Sequence, residues 1–389
     1  MHYYHLVMPW LAGFSLLATL LVFALWVYAG LLIKKLRELP LLEADAPLPR
    51  VSLVAPARNE ERNIEQAVRS LLKLDYPDLQ ITLVNDRSTD STGQILDRLV
   101  SEFPQLNVVH LTELPAGWLG KNHAMQHGAE GSSGEWILFT DADVIFEPTT
   151  LKRAIRYAIE HNADHLVATP DTRMPSWLLK CFIVTFAMNF LLFVRAWGVR
   201  NPKSTAHVGI GAFNLIRREV FEKIAGFRPI KMRPDDDLKL GKLVKLRGFR
   251  QDLVSGIDGM IVVHWYGSLW EMVRGLEKNM YAAIDYNFFA AVFISVAMLL
   301  LNIWPYFALF LTTGIARWLY VANIVVLTLL LASSARETRS PYSCALGFPL
   351  AVLLFLFIQW RSIFLTYWNN GIQWRDTHYS LAELRANKI

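Results

Sequence analysis

Cysteine is nearly absent from this chain of 389 residues, which has only Cys181 and Cys344. Both lie in apolar stretches, so neither a disulfide framework nor a cysteine metal site is available, and both are expected to be buried and inert. Charge is also scarce. Asp, Glu, Lys and Arg make up 19% of the residues against 53% hydrophobic, too apolar for an ordinary soluble protein and too charged for a pure membrane bundle. The net charge is +5, but the Lys and Arg are scattered and no basic tract stands out. That argues against nucleic acid as a partner. A cytoplasmic face against anionic lipid accounts better for the basic excess.

The charge that exists is unevenly placed. None falls between Leu6 and Ile33, a run longer than the roughly 20 residues that cross a bilayer and than the roughly 7–15 of a signal-peptide core. It reads as a retained anchor, residues 1–36. Charge-free runs return at Tyr286–Ala316, with Pro305 expected to kink it, and at Trp318–Ala335 and Ser340–Trp360. They predict about three spans in a C-terminal membrane domain, 287–389, with a short tail. Cys181–Val194 is shorter than a span and reads as an interfacial or buried helix. Lys34, Lys35 and Arg37 follow the first anchor and place the middle of the chain in the cytoplasm. Arg336 and Arg339 agree with that orientation, whereas the tail's Arg361, Arg375, Arg385 and Lys388 do not.

Between the anchors, residues 45–286 read as one globular domain behind a linker, Leu41–Pro49. Short apolar runs at 51–55, 81–84, 108–109, 136–140 and 166–168 predict buried strands. Helical spacing over Asn59–Leu72 places a helix between the first two. This alternation predicts an α/β domain with a mostly parallel sheet and helices on both faces. Ligands of such sheets bind beyond the carboxyl ends of the strands.

Three strand ends carry polar motifs. The first is Pro56-Ala57-Arg58-Asn59-Glu60, which reads either as a helix cap or as a contact for a nucleotide. It contains no glycine, so the Gly-rich phosphate loop of a nucleotidyltransferase is absent. The second is Asn85-Asp86-Arg87-Ser88-Thr89-Asp90, where Asp86 either stabilises the turn or accepts hydrogen bonds from a uracil-type N–H or a ribose hydroxyl. The third is Asp141-Ala142-Asp143. Alternation along an extended backbone puts both carboxylates on one side, as a hard divalent cation bound to phosphate oxygens needs.

In this order, with Gly120-Lys121 and Ala124, Gly211–Glu219 (GAFNLIRRE), Gly226-Phe227 and Asp235-Asp236-Asp237, the motifs resemble the inverting family-2 glycosyltransferases of the GT-A fold. The resemblance covers about residues 50–280. It implies a GT-A domain joined to transmembrane α-helices. It also implies that Pro56, Arg58, Glu60, Asp86, Lys121 and Asp141 contact a nucleotide-sugar donor, with UDP the expected nucleotide. Asp143 and Asp141 would hold Mg²⁺ or Mn²⁺. Counting back from Gly248-Phe249 favours Asp237 as catalytic base with Asp236 the preceding acid, and Asp235 stays open. All three would also suit a helix N-terminus as plain dipole partners. Processive members carry a Gln-x-x-Arg-Trp motif that contacts the diphosphate and the acceptor; Glu271–Gly275 supplies only a relaxed version with Arg274 in the Arg place, which implies Arg274 as a further donor contact that adds charge beside Lys121.

The tail Gly371–Thr377 with Tyr379 is similar to the Trp-Arg motif that closes ceramide glucosyltransferase-type chains. Bacterial carotenoid- and hopanoid-associated glycosyltransferases have a similar layout. The layout implies an integral membrane protein, of the bacterial inner-membrane type, that transfers a sugar to a lipid acceptor at the membrane. A polyprenyl-phosphate glycosyltransferase, a polysaccharide synthase and a membrane scaffold with a degenerate domain are the competing readings.

Overall fold

The computed structural model describes residues 2–40, 48–374 and 377–389. Most of the expected linker and the Arg375-Asp376 pair of the tail motif lie outside the described residues. The chain forms two compact units. One comprises Ile33–Arg173, Val194–Trp265 and Ala382–Ile389. The other comprises the residues up to Leu32, Met174–Phe193 and Tyr266–Leu381.

The first unit is built on a ten-stranded sheet. Its strands are β1 (Lys34–Lys35), β2 (Val51–Ala57), β3 (Leu79–Asp86), β4 (Leu106–Leu111), β5 (Trp136–Phe139), β6 (Ile145–Phe146), β7 (His165–Arg173), β8 (Asn214–Arg217), β9 (Gln251–Gly256) and β10 (Ile261–His264). The order is β1-β9-β7-β8-β5-β2-β3-β4, with β10 pairing β6 and β7 off this path. Pairing is parallel except for β8, which runs antiparallel to both β5 and β7, and the β6–β10 pair. The sheet is thus mixed and mostly parallel. Along the central strands the side chains alternate between two buried faces. Leu53, Leu83, Leu138 and Trp136 enter one core, and Val54, Val84, Ile137 and Phe139 the other. Burial on both sides is why these strands read as continuous apolar runs. Leu138, fully buried, would cost about 2–5 kcal/mol if cut to Ala.

The helix expected over Asn59–Leu72 occupies only Ile64–Leu71. Its first turn is lost because Asn59 adopts a left-handed backbone (φ 55°) and the residues after it bond to the loop beyond β3. The helix Asp236–Leu246 follows the acidic triplet as expected.

The second unit is helical. Among the described residues of the chain, five helices are long and apolar enough to cross a membrane: Val7–Leu32, Trp177–Gly198, Phe288–Leu311, Gly314–Glu337 and Phe348–Trp368. The second is longer than the charge-free run suggested. It opens at Trp177 and takes in Lys180, giving 22 residues of apolar helix. Pro305 lies where the third is interrupted, after a π-helical turn at Leu299–Ile303, a common accommodation of a missing N–H. Hydroxyl and amide groups bridge helices inside this unit. Asn323 Nδ2 donates to Ser15 Oγ at 2.6 Å, and Ser334 Oγ to the Val184 carbonyl at 2.7 Å.

The unit boundaries differ from the sequence boundary at residue 286. The amphipathic helix Leu269–Met280 belongs to the helical unit, where Glu277 pairs with Arg361 and its carbonyl accepts from Ser362. Conversely, Ala382–Ile389 belongs to the sheet unit. There Asn387 accepts the Met232 N–H at 3.0 Å and Lys242 Nζ meets the Ile389 oxygen at 2.7 Å.

Candidate active site

Strands β2, β3 and β5 are parallel neighbours, so their carboxyl ends open on the same edge of the sheet. Beyond β2 and β3 the two loops are stitched together. The Asn59 N–H donates to Ser88 Oγ (3.0 Å), the Glu60 N–H to Thr92 Oγ1 (2.8 Å), and the Thr89 N–H to Asn59 Oδ1 (2.8 Å). Asp86, at the end of β3, is 3% exposed. Its oxygens accept from Arg87 Nε at 2.7 Å and Arg87 Nη2 at 3.1 Å, and Arg58 lies 3.7 Å away. A side chain at Gly120 would collide with this carboxylate, because its Cβ would stand 2.3 Å from Asp86 Oδ2. Glycine at the start of the helix Gly120–Glu130 is what lets Asp86 and Lys121 be neighbours.

Lys121 is held by its helix. Next to it, Asn122 is fully buried and donates to the carbonyls of Ile230 (2.9 Å) and Arg233 (3.0 Å). Lys121 Nζ lies 2.9 Å from Asp141 Oδ1 and 3.5 Å from Asp236 Oδ2. Burial pushes its ammonium down, but Asp141, Asp236 and Asp237 outweigh that and hold it above the usual lysine range.

Asp141 and Asp143 follow β5. The Asp141 N–H donates to the Gly211 carbonyl at 3.1 Å, and Thr140 Oγ1 to the Ala212 carbonyl at 2.9 Å. From the other side, the Gly211 N–H donates to Asp237 Oδ2 at 2.8 Å. Gly211 thus separates Asp141 from Asp237 by a single residue's backbone. A Cβ there would sit 2.6 Å from Asp141 Oδ2. Gly209 is as constrained, since its Cβ would fall 1.7 Å from the Asp237 carbonyl oxygen.

The three acids of the triplet have different surroundings. Asp235 is committed to Arg233, with Nε and Nη2 each at 2.8 Å, and both residues are buried. Asp236 faces Lys121. Asp237 accepts the Gly211 N–H and, at 2.7 Å, the Leu238 N–H. Burial first, then the adjacent Asp236, push its carboxyl up to about 7, against the pull of Lys121. Burial likewise pushes Asp143 up to about 7, helped by Asp141 and Glu60.

The residues present fit a divalent cation. Among the described residues, no three His, Cys, Asp or Glu side chains form a self-sufficient cage. Asp141 and Asp143 offer only carboxylate oxygens, and the burial that raises Asp143, with Asp141 and Glu60 adding to it, makes its ionised form costly, a cost that a cation would relieve. A hard cation commonly completes its shell with substrate phosphate oxygens.

The structure therefore gathers Glu60, Asp86, Lys121, Asp141, Asp143, Asp236 and Asp237, with Pro56 and Arg58 on the adjoining strand end. Arg274 belongs to the helical unit, where its guanidinium stands over the Trp270 ring at 5.6 Å. The sequence places Gly211 at the head of a motif, and Gly209 and Arg233 in the same Gly209–Asp237 region on the acceptor side, without an individual role for any of them, and does not single out Asn122. The closely spaced glycines of Gly209-Ile210-Gly211 were the available signal, since glycine marks a close backbone approach.

Residues 52–225 match the model of the family "Glycosyl transferase family 2". The beta-monoglucosyldiacylglycerol synthase of Synechocystis sp. is 37% identical over 123 residues, 30% of this chain and 25% of that protein. The probable glycosyltransferase YdaM of Bacillus subtilis is 36% identical over 114 residues, 29% of this chain and 26% of that one. The chain thus spans about a quarter of the length of these curated relatives. Among solved structures, the mannosyltransferase PcManGT from Pyrobaculum calidifontis, in complex with GDP-Man and Mn²⁺, superposes with a TM-score of 0.55 at 19% identity. That match covers 91% of this chain and 99% of the other. At that identity the likeness is one of fold.

Proposed function

Because this chain carries a glycosyltransferase family 2 domain of GT-A fold, we propose that it transfers a sugar from a nucleotide-sugar, with UDP the expected nucleotide, to the hydroxyl of a lipid at a membrane. One observation carries the reading. Lys121, Asp141, Asp143, Asp236 and Asp237 converge at the carboxyl ends of the central strands, with Gly211 bonded to both Asp141 and Asp237. Relatives named glycolipid synthases and five helices fit to cross a membrane support a lipid acceptor. The basic residues after the first helix support a cytoplasmic catalytic unit.

In this reading Asp86, with Arg58, recognises the nucleobase side of the donor, and Lys121 lies against the diphosphate. Asp141 and Asp143 would hold Mg²⁺ or Mn²⁺, which when bound offsets the charge of the departing diphosphate. Asp237 accepts the proton of the acceptor hydroxyl as its oxygen bonds to the anomeric carbon and the bond to the diphosphate oxygen breaks, inverting the centre. A carboxyl raised to about 7 suits a base working near neutral pH. Asp236 keeps Lys121 in place, and Asp235 holds the entry to the helix through Arg233.

The test is nucleoside diphosphate release by detergent-solubilised protein with Mn²⁺ or Mg²⁺ and a panel of UDP- and GDP-sugars, with and without lipid extract. Lipid-stimulated release of one nucleotide, lost in Asp143→Ala and Asp237→Asn, is the expected result. Release that ignores lipid moves the acceptor to a soluble sugar or polymer. Activity that survives Asn at each of Asp235, Asp236 and Asp237 points to a phosphate acceptor, which needs no base. No release from any donor by folded protein removes the reading.

A further inference from the structure

Asp86 is a buried carboxylate at the site where the donor's nucleobase would be read, and its sequence neighbour covers both of its oxygens. Arg87 folds back on its own neighbour and gives Asp86 two N–H donors, Nε at 2.7 Å and Nη2 at 3.1 Å. The contact is local, between sequence neighbours. Arg87 has a left-handed conformation, φ 55°, a region that favours glycine. Nothing in the turn requires arginine there. The stitches that hold this loop come from Ser88, Thr89 and Asn59, and the Arg87 N–H merely closes the turn on the Asn85 carbonyl. The distinctive act of this side chain is to occupy both oxygens of Asp86.

We propose that Arg87 is a latch on the nucleobase site, which must swing off Asp86 before a nucleotide can bind and so lowers nucleotide affinity. The physical need for it is clear. A carboxylate 3% exposed is costly without charged and hydrogen-bonding partners; Arg58, at 3.7 Å, supplies charge, and Arg87 supplies two hydrogen bonds as well. Arg87 supplies those hydrogen bonds while it lies on Asp86, and a base would supply them in its place once the arginine has moved off. The binding-competent state is then a minor one, and apparent affinity is reduced by its population. The opening happens before any base arrives, so the reduction is the same factor for every nucleotide that uses Asp86. This inference rests on the nucleotide-sugar reading above.

The experiment is calorimetric titration of the full chain in detergent with UDP and with GDP, in Mg²⁺, for the natural protein, Arg87→Ala, Arg87→Lys and Asp86→Asn. Arg87→Ala keeps the left-handed strain of a residue with a Cβ and removes only the guanidinium. It should bind whichever nucleotide the natural protein binds about ten-fold more tightly, the scale of a partly buried charge-assisted pair. If both nucleotides bind, the factors should agree. Arg87→Lys, which cannot form the fork, should fall between. Melting temperatures add a second readout. Arg87→Ala alone should melt lower than the natural protein, with a larger upward shift on adding nucleotide. Equal or weaker binding by Arg87→Ala, or a gain confined to one nucleotide, overturns the latch, because it makes Arg87 neutral or a direct contact. In that case binding by the natural protein that is lost in Asp86→Asn leaves the nucleotide-sugar reading standing. No binding by any of the four proteins removes both.

Discussion

The sheet unit and the helical unit use polar groups in opposite ways. In the sheet unit they are crowded and charged. Asp141, Asp143, Asp236 and Asp237 surround one lysine, and the backbone passes between them at glycines that admit no side chain. In the helical unit the bridges are mostly neutral and isolated, an amide to a hydroxyl or a hydroxyl to a carbonyl. The first arrangement concentrates charge that a charged ligand would offset, whereas the second spreads single neutral hydrogen bonds between helices and leaves the buried amide oxygens of Asn323 and Asn279 without a hydrogen-bond partner. Chemistry belongs to the first and cohesion to the second.

If that contrast holds, single-atom changes should be catastrophic in one unit and nearly silent in the other. The largest effect is expected at the acids themselves. Asp143→Ala and Asp237→Asn should each lower lipid-dependent nucleotide release about 10³-fold or more, with melting temperature little changed or raised as carboxylate crowding is relieved. Next is Gly209→Ala, which forces its loop off the Asp237 carbonyl. A displacement near 1 Å should cost about 10²-fold in rate while nucleotide binding, measured by calorimetry, persists.

A smaller effect tests the layer beneath. His165 is fully buried between Asn214 and Gln251. Its Nε2–H donates to Asn214, and Nδ1 accepts from Gln251 Nε2 at 2.7 Å, so a second ring proton would face a donor. Burial pushes it down to about 4 from 6.5. Protons then favour the unfolded chain below pH 6.5. The contribution is full above that value and is lost as the pH falls towards 4, on the order of 3 kcal/mol. Thermal melts at pH 7 and 4.5 should show the loss, and His165→Gln should flatten it. The smallest effect is expected in the helical unit. The Asn323–Ser15 pair should show a coupling of about 0.6 kcal/mol in a double-mutant cycle, with transfer activity intact. A loss of activity there would break the division of labour.

The parts of the fold that were legible are those made by burial alone. β2, β3 and β5 are apolar runs because both faces of the sheet are covered. β9 escaped notice because its buried residues include Gln251, Asp252 and Ser255, polar groups chosen for their partners. Gln251 bonds both the N–H and the carbonyl of Val208, and no periodicity reports that. In the site, acids at strand ends were visible because strand ends are where chemistry collects. The sorting of Asp235 from Asp236 and Asp237 was not, since it depends on Arg233 and Gly211, which come near only through the fold.

The stitching of the loop after β2 to the loop after β3 has a consequence for how the proposed donor would meet this protein. Segments that would otherwise sample many conformations are fixed to each other by Ser88, Thr92 and Asn59. Their backbone freedom, about 1–2 kcal/mol per residue, is given up when the chain folds and is not demanded again at each encounter. Donor binding should therefore carry a small entropic penalty and a modest heat-capacity change, the thermodynamic profile of a rigid receptor with one moving side chain.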